Sequence, residues 1–476
     1  MEETFDVVVI GAGPAGENVA GRVAAGGLSV AVVEAELVGG ECSYWACMPS
    51  KALLRPGEVV AAVRRVPGAA EAVTGNIDVA AVLARRNELT GDWNDEGQVR
   101  WLESVGATLV RGRGRITGER TVEVAAGEGS VRSLRASKAV VVATGSGAAI
   151  PPIPGLRQIK VWDSRAATSS KEVPRRLIVL GGGVVGVEMA QAWKRLGASE
   201  VTIVEAGDRL LSRHEPFASE QLAAALTDDG IDVVVGCKAV GAERDGTDGP
   251  VRLTLDDGRV VEGDELLVAV GRRPLTADLG LDSIGLEPGR YIDVDDSLRA
   301  TAADGGWLFA VGDVNGRALL THQGKYQARI CGDVILGKPM TAWADHVAVP
   351  SVVFTDPQIG SVGLTEAMAL EKGLNVRTVR HETGNVAAAS ARGTRTVGSC
   401  QLVIDQDRNV VIGATYVGPE ISELVHAATI AIVGEVPLDR LWHAVPAFPT
   451  MSELWLRLLE AAGLQALEPR NHWSRQ

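Results

Sequence analysis

One pattern, written twice, restricts this chain more than any other feature of its 476 residues. Residues 6–16 read DVVVIGAGPAG, an apolar β-branched run followed by Gly11, Gly13 and Gly16. Residues 177–186 read LIVLGGGVVG, with Gly181, Gly183 and Gly186 in the same places. A helical stretch follows each, then a second strand-like run ending in an acid: VAVVE at Glu34 and VTIVE at Glu205. In such a strand–turn–helix unit the first glycine permits the tight turn, and the second lets the backbone approach a pyrophosphate. The third lets the helix pack closely on the strand, and the helix N-terminus faces the phosphates. The acid accepts the ribose hydroxyls. With every part in order twice, the sequence predicts an α/β protein with two Rossmann-like dinucleotide-binding domains.

Two such sites suggest a flavin and a nicotinamide cofactor with hydride passing between them. The strands VVVATGS (140–146) and LFAVGDV (308–314) precede and follow the second motif, and both are expected to join the first sheet. The predicted organisation is a first domain in two segments, 1–150 and 265–343, with a nucleotide domain inserted at 151–264. Glu205 favours NAD, because a carboxylate repels the 2′-phosphate of NADP; Arg209 and Arg213 nearby keep NADP possible. From 344 to 476 the character changes to an α+β domain. The segments 351–364 and 399–418 read as strands, the second closing through DQDRN, and helices are expected at 420–434 and 450–463. The tail from Gln465 is expected to be loosely held.

A formal net charge of −13 argues against a nucleic-acid partner and an anionic membrane surface. No charged-then-apolar leader precedes the strand at Phe5. The longest uncharged stretch, Ala139 to Leu156, is interrupted by Gly145, Gly147, Pro151, Pro152 and Pro154, so membrane insertion is not expected. The expected compartment is the cytoplasm, where a close cysteine pair is more often catalytic or metal-binding than structural.

Such a pair stands in GGECSYWACMPSK (39–51), at Cys42 and Cys47. On a regular helix, residues five apart have Cα atoms about 8.6 Å apart, whereas a disulfide needs roughly 4.4–6.8 Å. Pro49 suits a first helical turn, so the helix is expected to start just after Cys47, with 42–46 an irregular lead-in. Cys47 then lies by a positive helix end that favours thiolate. Zinc would need a second ligand pair, and none is in view. Two inert, packed cysteines remain the other reading of these residues, and it is the reading given to the isolated Cys237, Cys331 and Cys400.

From about residue 5 to 463 the chain resembles the class I pyridine nucleotide-disulfide oxidoreductases, the glutathione reductase, dihydrolipoamide dehydrogenase and mercuric reductase family. GGECSYWACMPSK is similar to the family's redox motif, ATGS and AVGRRP to its strand-end signatures, and AVGDV to its flavin-contacting segment; VVFTDPQIGSVGLTE resembles the start of its dimerisation domain. The resemblance implies FAD at the first glycine site and a homodimer built through 344–476. It implies a redox-active Cys42–Cys47 disulfide, with Cys47 against the flavin and Cys42 attacking substrate. Lys51 would lie near the flavin paired with Glu188, and Asp313 would meet the ribityl chain. Gly40, Thr144, Gly145 and Gly271 are the further cofactor-binding residues in these motifs. The partner would be a small-molecule electron acceptor.

The chain departs from the family in one informative place. Disulfide reductases carry a histidine directly before Pro-Thr and a glutamate five residues later. Here HAVPAFPTMSELW places Phe448 at the histidine position and keeps Glu453. A phenyl ring cannot manage protons on the interchange thiol. Glu453 can also be read as part of a capping box, Thr450-x-x-Glu453, and His443 lies five residues upstream of Phe448. A phenylalanine here is similar to 2-ketopropyl-coenzyme M oxidoreductase/carboxylase, which also replaces the glutamate; this chain shares half of that change. Mercuric reductases carry a cysteine pair near the C-terminus, and no cysteine follows Cys400. Glu41, Tyr44 and Ala46 also depart from the redox motif. The expected activity is NAD(P)H oxidation with a disulfide or quinone-like acceptor. The alternatives are a lipoyl-type disulfide reductase using another base, thiol-assisted carbon chemistry, and a flavin redox sensor without turnover.

Overall fold

The computed structural model describes residues 2–126, 129–394 and 396–464; the tail from Gln465 lies outside them. The chain forms two compact units. One comprises Met1–Leu53, Asp78–Val204 and Lys238–Asp345, the other Leu54–Ile77, Glu205–Cys237 and His346–Gln476.

In the first unit a sheet runs in the order Thr108–Arg111, Val30–Glu34, Glu2–Ile10, Val131–Val142, Thr121–Ala125, Arg113–Gly118, and Leu308–Ala310 also pairs with Val131–Val142. The two strands expected to join it, 140–142 and 308–310, do so in parallel. The run of valines explains the placement, since a parallel strand is buried on both faces and reads as continuous apolar sequence. Val7, Val9, Val32 and Val141 point to one side, against Val19 and Val23 of the helix Pro14–Ala25 and Ile330 of the helix Thr321–Ile335. Val8, Ile10, Val33, Val140 and Val142 point to the other, against Ile116, Val122 and Leu308. The period of two along the strands sorts one valine run into two cores.

The same unit holds the second parallel sheet, where Arg176–Leu180 pairs with Glu200–Glu205 on one side and Glu265–Val268 on the other. An antiparallel meander, Ala239–Arg244, Val251–Leu255 and Val260–Gly263, accompanies it.

The second unit carries an antiparallel sheet in the order Ser351–Val353, Gln358–Gly363, Val410–Gly418, Ser399–Asp405, Val376–Glu382. Leu402, Ile404 and Tyr416 pack beneath Val425 and Ala428 of the helix Leu424–Val433, and beneath Leu454 and Leu458 of Glu453–Ala461. The hairpin through 406–409 forms as expected. The strand Val376–Glu382 went unread because its VRTVRHE pattern places charges along an edge, where burial is partial. The capping box does not form. Thr450 Oγ1 donates to Ala447 O at 2.6 Å, Ser452 is the N-cap, and the Glu453 carboxylate accepts from Arg457 Nη2 at 2.7 Å. An i,i+4 ion pair on the same helix thus replaces the reciprocal cap. Among the described residues no helix is long and apolar enough to cross a membrane.

Candidate active site

The two glycine loops repeat one geometry. Gly11 has φ +102° and Gly181 φ +112°, and a side chain at either would sit 2.4–2.5 Å from the carbonyl oxygen of Ala143 or Ala269. These are turns only glycine can make so close to a neighbouring strand. At Gly16 and Gly186 an added Cβ would meet the carbonyl oxygen of Gly11 or Gly181 at 1.9 and 2.0 Å, so helix and loop touch there. Gly183 faces open space, and the nearest atom to a Cβ at Gly13 is Gly40 Cα at 4.0 Å. Tight turn, open approach and close packing thus fall on the first, second and third glycines, as the spacing predicts.

Glu34 closes the first loop. Its carboxylate accepts from Ala12 N and Glu36 N, both at 2.7 Å, and burial holds its pKa above the usual carboxylate value against those bonds. Glu205, in the second unit, likewise accepts from Gly207 N at 2.7 Å. Arg209 is committed to its own loop, donating to His214 O, Ser212 O and Ser219 Oγ.

A cleft of about 630 Å³ opens over the first loop, lined among others by Gly13, Glu34, Gly40, Cys42, Thr144 and Asp313. Gly11 and Gly145 line it too; Gly271 does not, although its neighbour Arg272 does. Asp313 accepts from Ser146 Oγ at 2.5 Å, and Arg272 Nε donates to the same Oγ at 2.7 Å. Burial raises the Asp313 pKa, opposed by the Ser146 bond and the Arg272 charge. Thr144 Oγ1 is buried with no hydrogen-bond partner. A cleft of this volume, an open glycine loop and an orphaned hydroxyl fit a bound dinucleotide such as FAD.

Cys42 lies on a short helix, Gly40–Tyr44, and Cys47 opens the helix Cys47–Arg64. The expected irregular lead-in is therefore corrected. Residues 40–44 are helical, and the chain breaks only at Trp45 and Ala46, where Trp45 adopts φ −134°. That break brings the two sulfurs together as free thiols sharing a hydrogen bond. The bond treats the two groups oppositely. Cys47 is pulled down to about 6, chiefly by the hydrogen bond from Cys42, with further help from Thr321 and the Lys51 charge against the cost of burial. Cys42 is pushed far up by the same bond and by burial. Thr321 Oγ1 lies 3.3 Å from Cys47 Sγ.

Lys51 stands one turn beyond Cys47, and its Nζ donates to Glu188 Oε2 at 2.8 Å, with the Glu188 side chain only 4 % exposed. The pair inferred from the family likeness is thus formed. Glu41 pairs with Arg165, whose guanidinium lies 4.1 Å from the centre of the Trp45 ring.

In the second unit Phe448 is 75 % exposed and Val445 85 %. His443 is also exposed. Glu453 is buried; one carboxylate oxygen meets Arg457 and the other, Oε2, has no partner. Sequence reasoning missed Thr321, Ser146, Arg272 and Arg165 as site residues. Ser146 and Arg272 belong to the ATGS and AVGRRP segments and were within reach; nothing local to Thr321 or Arg165 marks them.

Family models match in two places: pyridine nucleotide-disulphide oxidoreductase over residues 5–328, and the dimerisation domain of the same family over 349–458. A dihydrolipoyl dehydrogenase from Chlorobaculum tepidum is 35 % identical over 456 residues, covering 94 % of this chain and 95 % of that one. A mercuric reductase from Bacillus cereus is 32 % identical over 453 residues, 94 % of this chain and 70 % of the relative. Among solved structures, LpdA from Mycobacterium tuberculosis superposes with a TM-score of 0.85 at 27 % identity, covering 98 % of this chain and 100 % of that one. The Cu(II) complex of the HOCl-induced flavoprotein disulfide reductase RclA from Escherichia coli gives 0.84 at 26 % identity, covering 97 % and 100 %.

Proposed function

For a chain that belongs to the pyridine nucleotide-disulphide oxidoreductases, enzymes using FAD and NAD(P)H, we propose an acceptor whose reduction needs no protonated leaving thiolate: quinone-like rather than disulfide. The observation that carries this reading is Phe448, which stands where the family likeness puts the acid–base histidine. Disulfide reduction at Cys42 releases a thiolate that must be protonated, and positioned acid–base groups contribute about 10²–10⁴-fold to such steps. A quinone that takes electrons at the flavin ring does not depend on that group.

FAD, when bound, supplies the two-electron link between nicotinamide and thiols. The chain's own residues do the rest. Gly11, Gly13, Gly16, Glu34, Gly40, Thr144, Gly145 and Asp313 hold FAD across segments 1–150 and 265–343. Gly181, Gly183, Gly186, Glu205 and Gly271 hold the nicotinamide cofactor, with 151–264 as its domain. NADH is preferred, since Glu205 repels a 2′-phosphate and Arg209 is occupied by its loop. Cys47 is kept toward thiolate and Cys42 toward thiol, with the Lys51–Glu188 pair fixing a cation beside them. Segment 344–476 forms a homodimer, which supports a role for the exposed Phe448 and Val445 as contacts covered by the second copy.

Anaerobic reduction with NADH followed by a screen of quinones and small disulfides tests this. Wild type should reduce quinones much faster, and Phe448→His should narrow the gap, with the unpartnered Glu453 Oε2 available to the introduced imidazole. Disulfide turnover by wild type at ordinary reductase rates, about 10–10³ per second, unchanged in His443→Ala, would sink the reading. A second reading follows from the paired thiols: a thiophilic metal ion reduced at the same dithiol, as the mercuric reductase and the Cu(II)-bound neighbour suggest. Its test is Cu(II) in the same screen, with that activity lost and quinone reduction kept in Cys42→Ser.

A further inference from the structure

The break between the two cysteines is held by groups that have no part in the scheme above. The short helix Gly40–Tyr44 ends at Trp45, and the next helix begins at Cys47. A helix end leaves carbonyl oxygens without intrahelical donors. Trp45 O would ordinarily accept from the N–H four residues on, but that residue is Pro49, which has none. Thr168 of the helix Ser164–Ser169 serves it instead, with Oγ1 2.8 Å away. The same hydroxyl has Ser164 O at 3.0 Å and Arg165 O at 3.3 Å, so Trp45 O is the nearest of three acceptors. One residue earlier, the Tyr44 carbonyl accepts from Trp93 Nε1 at 3.1 Å. The Tyr44 hydroxyl donates to Val38 O at 3.0 Å.

Trp93 reaches that carbonyl from an unusual backbone. Asp92 and Trp93 adopt φ +50° and +58°, two left-handed residues in succession without a glycine. A bulky side chain rarely takes that conformation unless its surroundings hold it there. Arg86 is one such support: it is 1 % exposed, and its guanidinium carbon lies 5.4 Å from the centre of the Trp93 ring. Its Nη1 donates to Thr168 O at 2.7 Å and Ser170 O at 2.8 Å, and its Nε to Asn87 Oδ1 at 2.9 Å. A buried cation met by two carbonyls, an amide oxygen and an aromatic face ties both donors into one body. Arg165, stacked on the Trp45 ring, belongs to the same helix as Thr168.

We propose that Trp93 and Thr168 are positioning residues that clamp the Tyr44–Trp45 turn and thereby set the redox potential of the Cys42–Cys47 pair. This rests on the reading of those cysteines as a redox couple. In the disulfide the covalent bond fixes the turn, with or without the clamp. In the dithiol the turn depends on its non-covalent partners, which keep the two sulfurs close. Removing a donor therefore favours the open, reduced state and makes the pair a weaker reductant.

The experiment equilibrates flavin-loaded protein with mixtures of reduced and oxidised dithiothreitol, quenches in acid, alkylates, and counts labels on Cys42 and Cys47 by mass. Reduced dithiothreitol supplies two electrons and two protons: the S–S bond breaks, two thiols form, and dithiothreitol closes to its ring disulfide. Trp93→Phe removes the indole N–H and keeps an aromatic ring beside Arg86; Thr168→Val removes the hydroxyl and keeps its shape. Each should lower the equilibrium constant for disulfide closure roughly fivefold, the scale of one net hydrogen bond. For a two-electron couple that is a midpoint about 20 mV more positive. Thr168→Ser should restore the wild-type midpoint. Melting temperatures measured alongside register any loss of stability, which by itself leaves the midpoint in place. An unchanged midpoint in either Trp93→Phe or Thr168→Val would overturn the proposal, as would a Thr168→Ser midpoint equal to that of Thr168→Val. Should Trp93→Phe fail to fold, Thr168→Val against Thr168→Ser decides it. A wild type whose two cysteines take full label under every mixture would overturn the redox-couple reading itself, and the proposal with it.

Discussion

Replacing Thr321 by valine removes one hydroxyl from the thiol pair while keeping the shape of the side chain. The hydroxyl lies 3.3 Å from Cys47 Sγ and is one of the groups that draw Cys47 down to about 6, after the larger hydrogen bond from Cys42. A hydrogen bond to an ionised group contributes about 1.5–3 kcal/mol, and sulfur is a weak acceptor, so the lower end applies. That is about one pKa unit. The folded-state value should therefore move up from about 6 to roughly 7. At pH 6.5 the thiolate fraction would fall from roughly three quarters to roughly one quarter. The readout is the long-wavelength absorbance of thiolate packed against oxidised flavin, titrated from pH 5 to 8.5 after two-electron reduction. The midpoint should rise in Thr321→Val and the band should vanish in Cys47→Ser. An unchanged midpoint in a correctly loaded Thr321→Val protein would refute the assignment of that hydroxyl to thiolate stabilisation.

The glycine loops predict opposite outcomes within one motif. Gly186→Ala should unfold the second nucleotide site, because its Cβ would lie 2.0 Å from a carbonyl oxygen, whereas Gly183→Ala, facing open space, should keep the melting temperature and weaken NADH binding by calorimetry. Arg209→Ala should leave any preference of NADH over NADPH intact in stopped-flow reduction, since its guanidinium serves His214, Ser212 and Ser219. Arg457→Met should destabilise the second unit by about 1–3 kcal/mol in urea titration, because it strips the remaining partner from a buried carboxylate.

What could be read from the residues was what local order encodes. Continuous burial along valine runs, glycines at fixed offsets and an acid at the end of the next strand all act within about thirty residues, and the folded loops reproduce the glycine pattern at Gly11, Gly13 and Gly16 and again at Gly181, Gly183 and Gly186. The nearness of Cys42 and Cys47 was legible for the same reason, although the short helix at Gly40–Tyr44 was not, because five residues carry too weak a periodic signal. At Thr450 and Glu453 the sequence offered a cap, and the structure chose an ion pair to Arg457, a competition between two local partners that spacing cannot rank. The long-range partners at the site were decided elsewhere. Thr321 reaches Cys47 across 274 residues of chain, Ser146 reaches Asp313 across 167, and Lys51 meets Glu188 across 137. Glu17 is one more helix residue until packing leaves its Oε1 enclosed without a hydrogen-bond partner. Periodicity tells which face of an element is buried; only the crossing of those elements decides which polar group finds a partner there, and which is left without one.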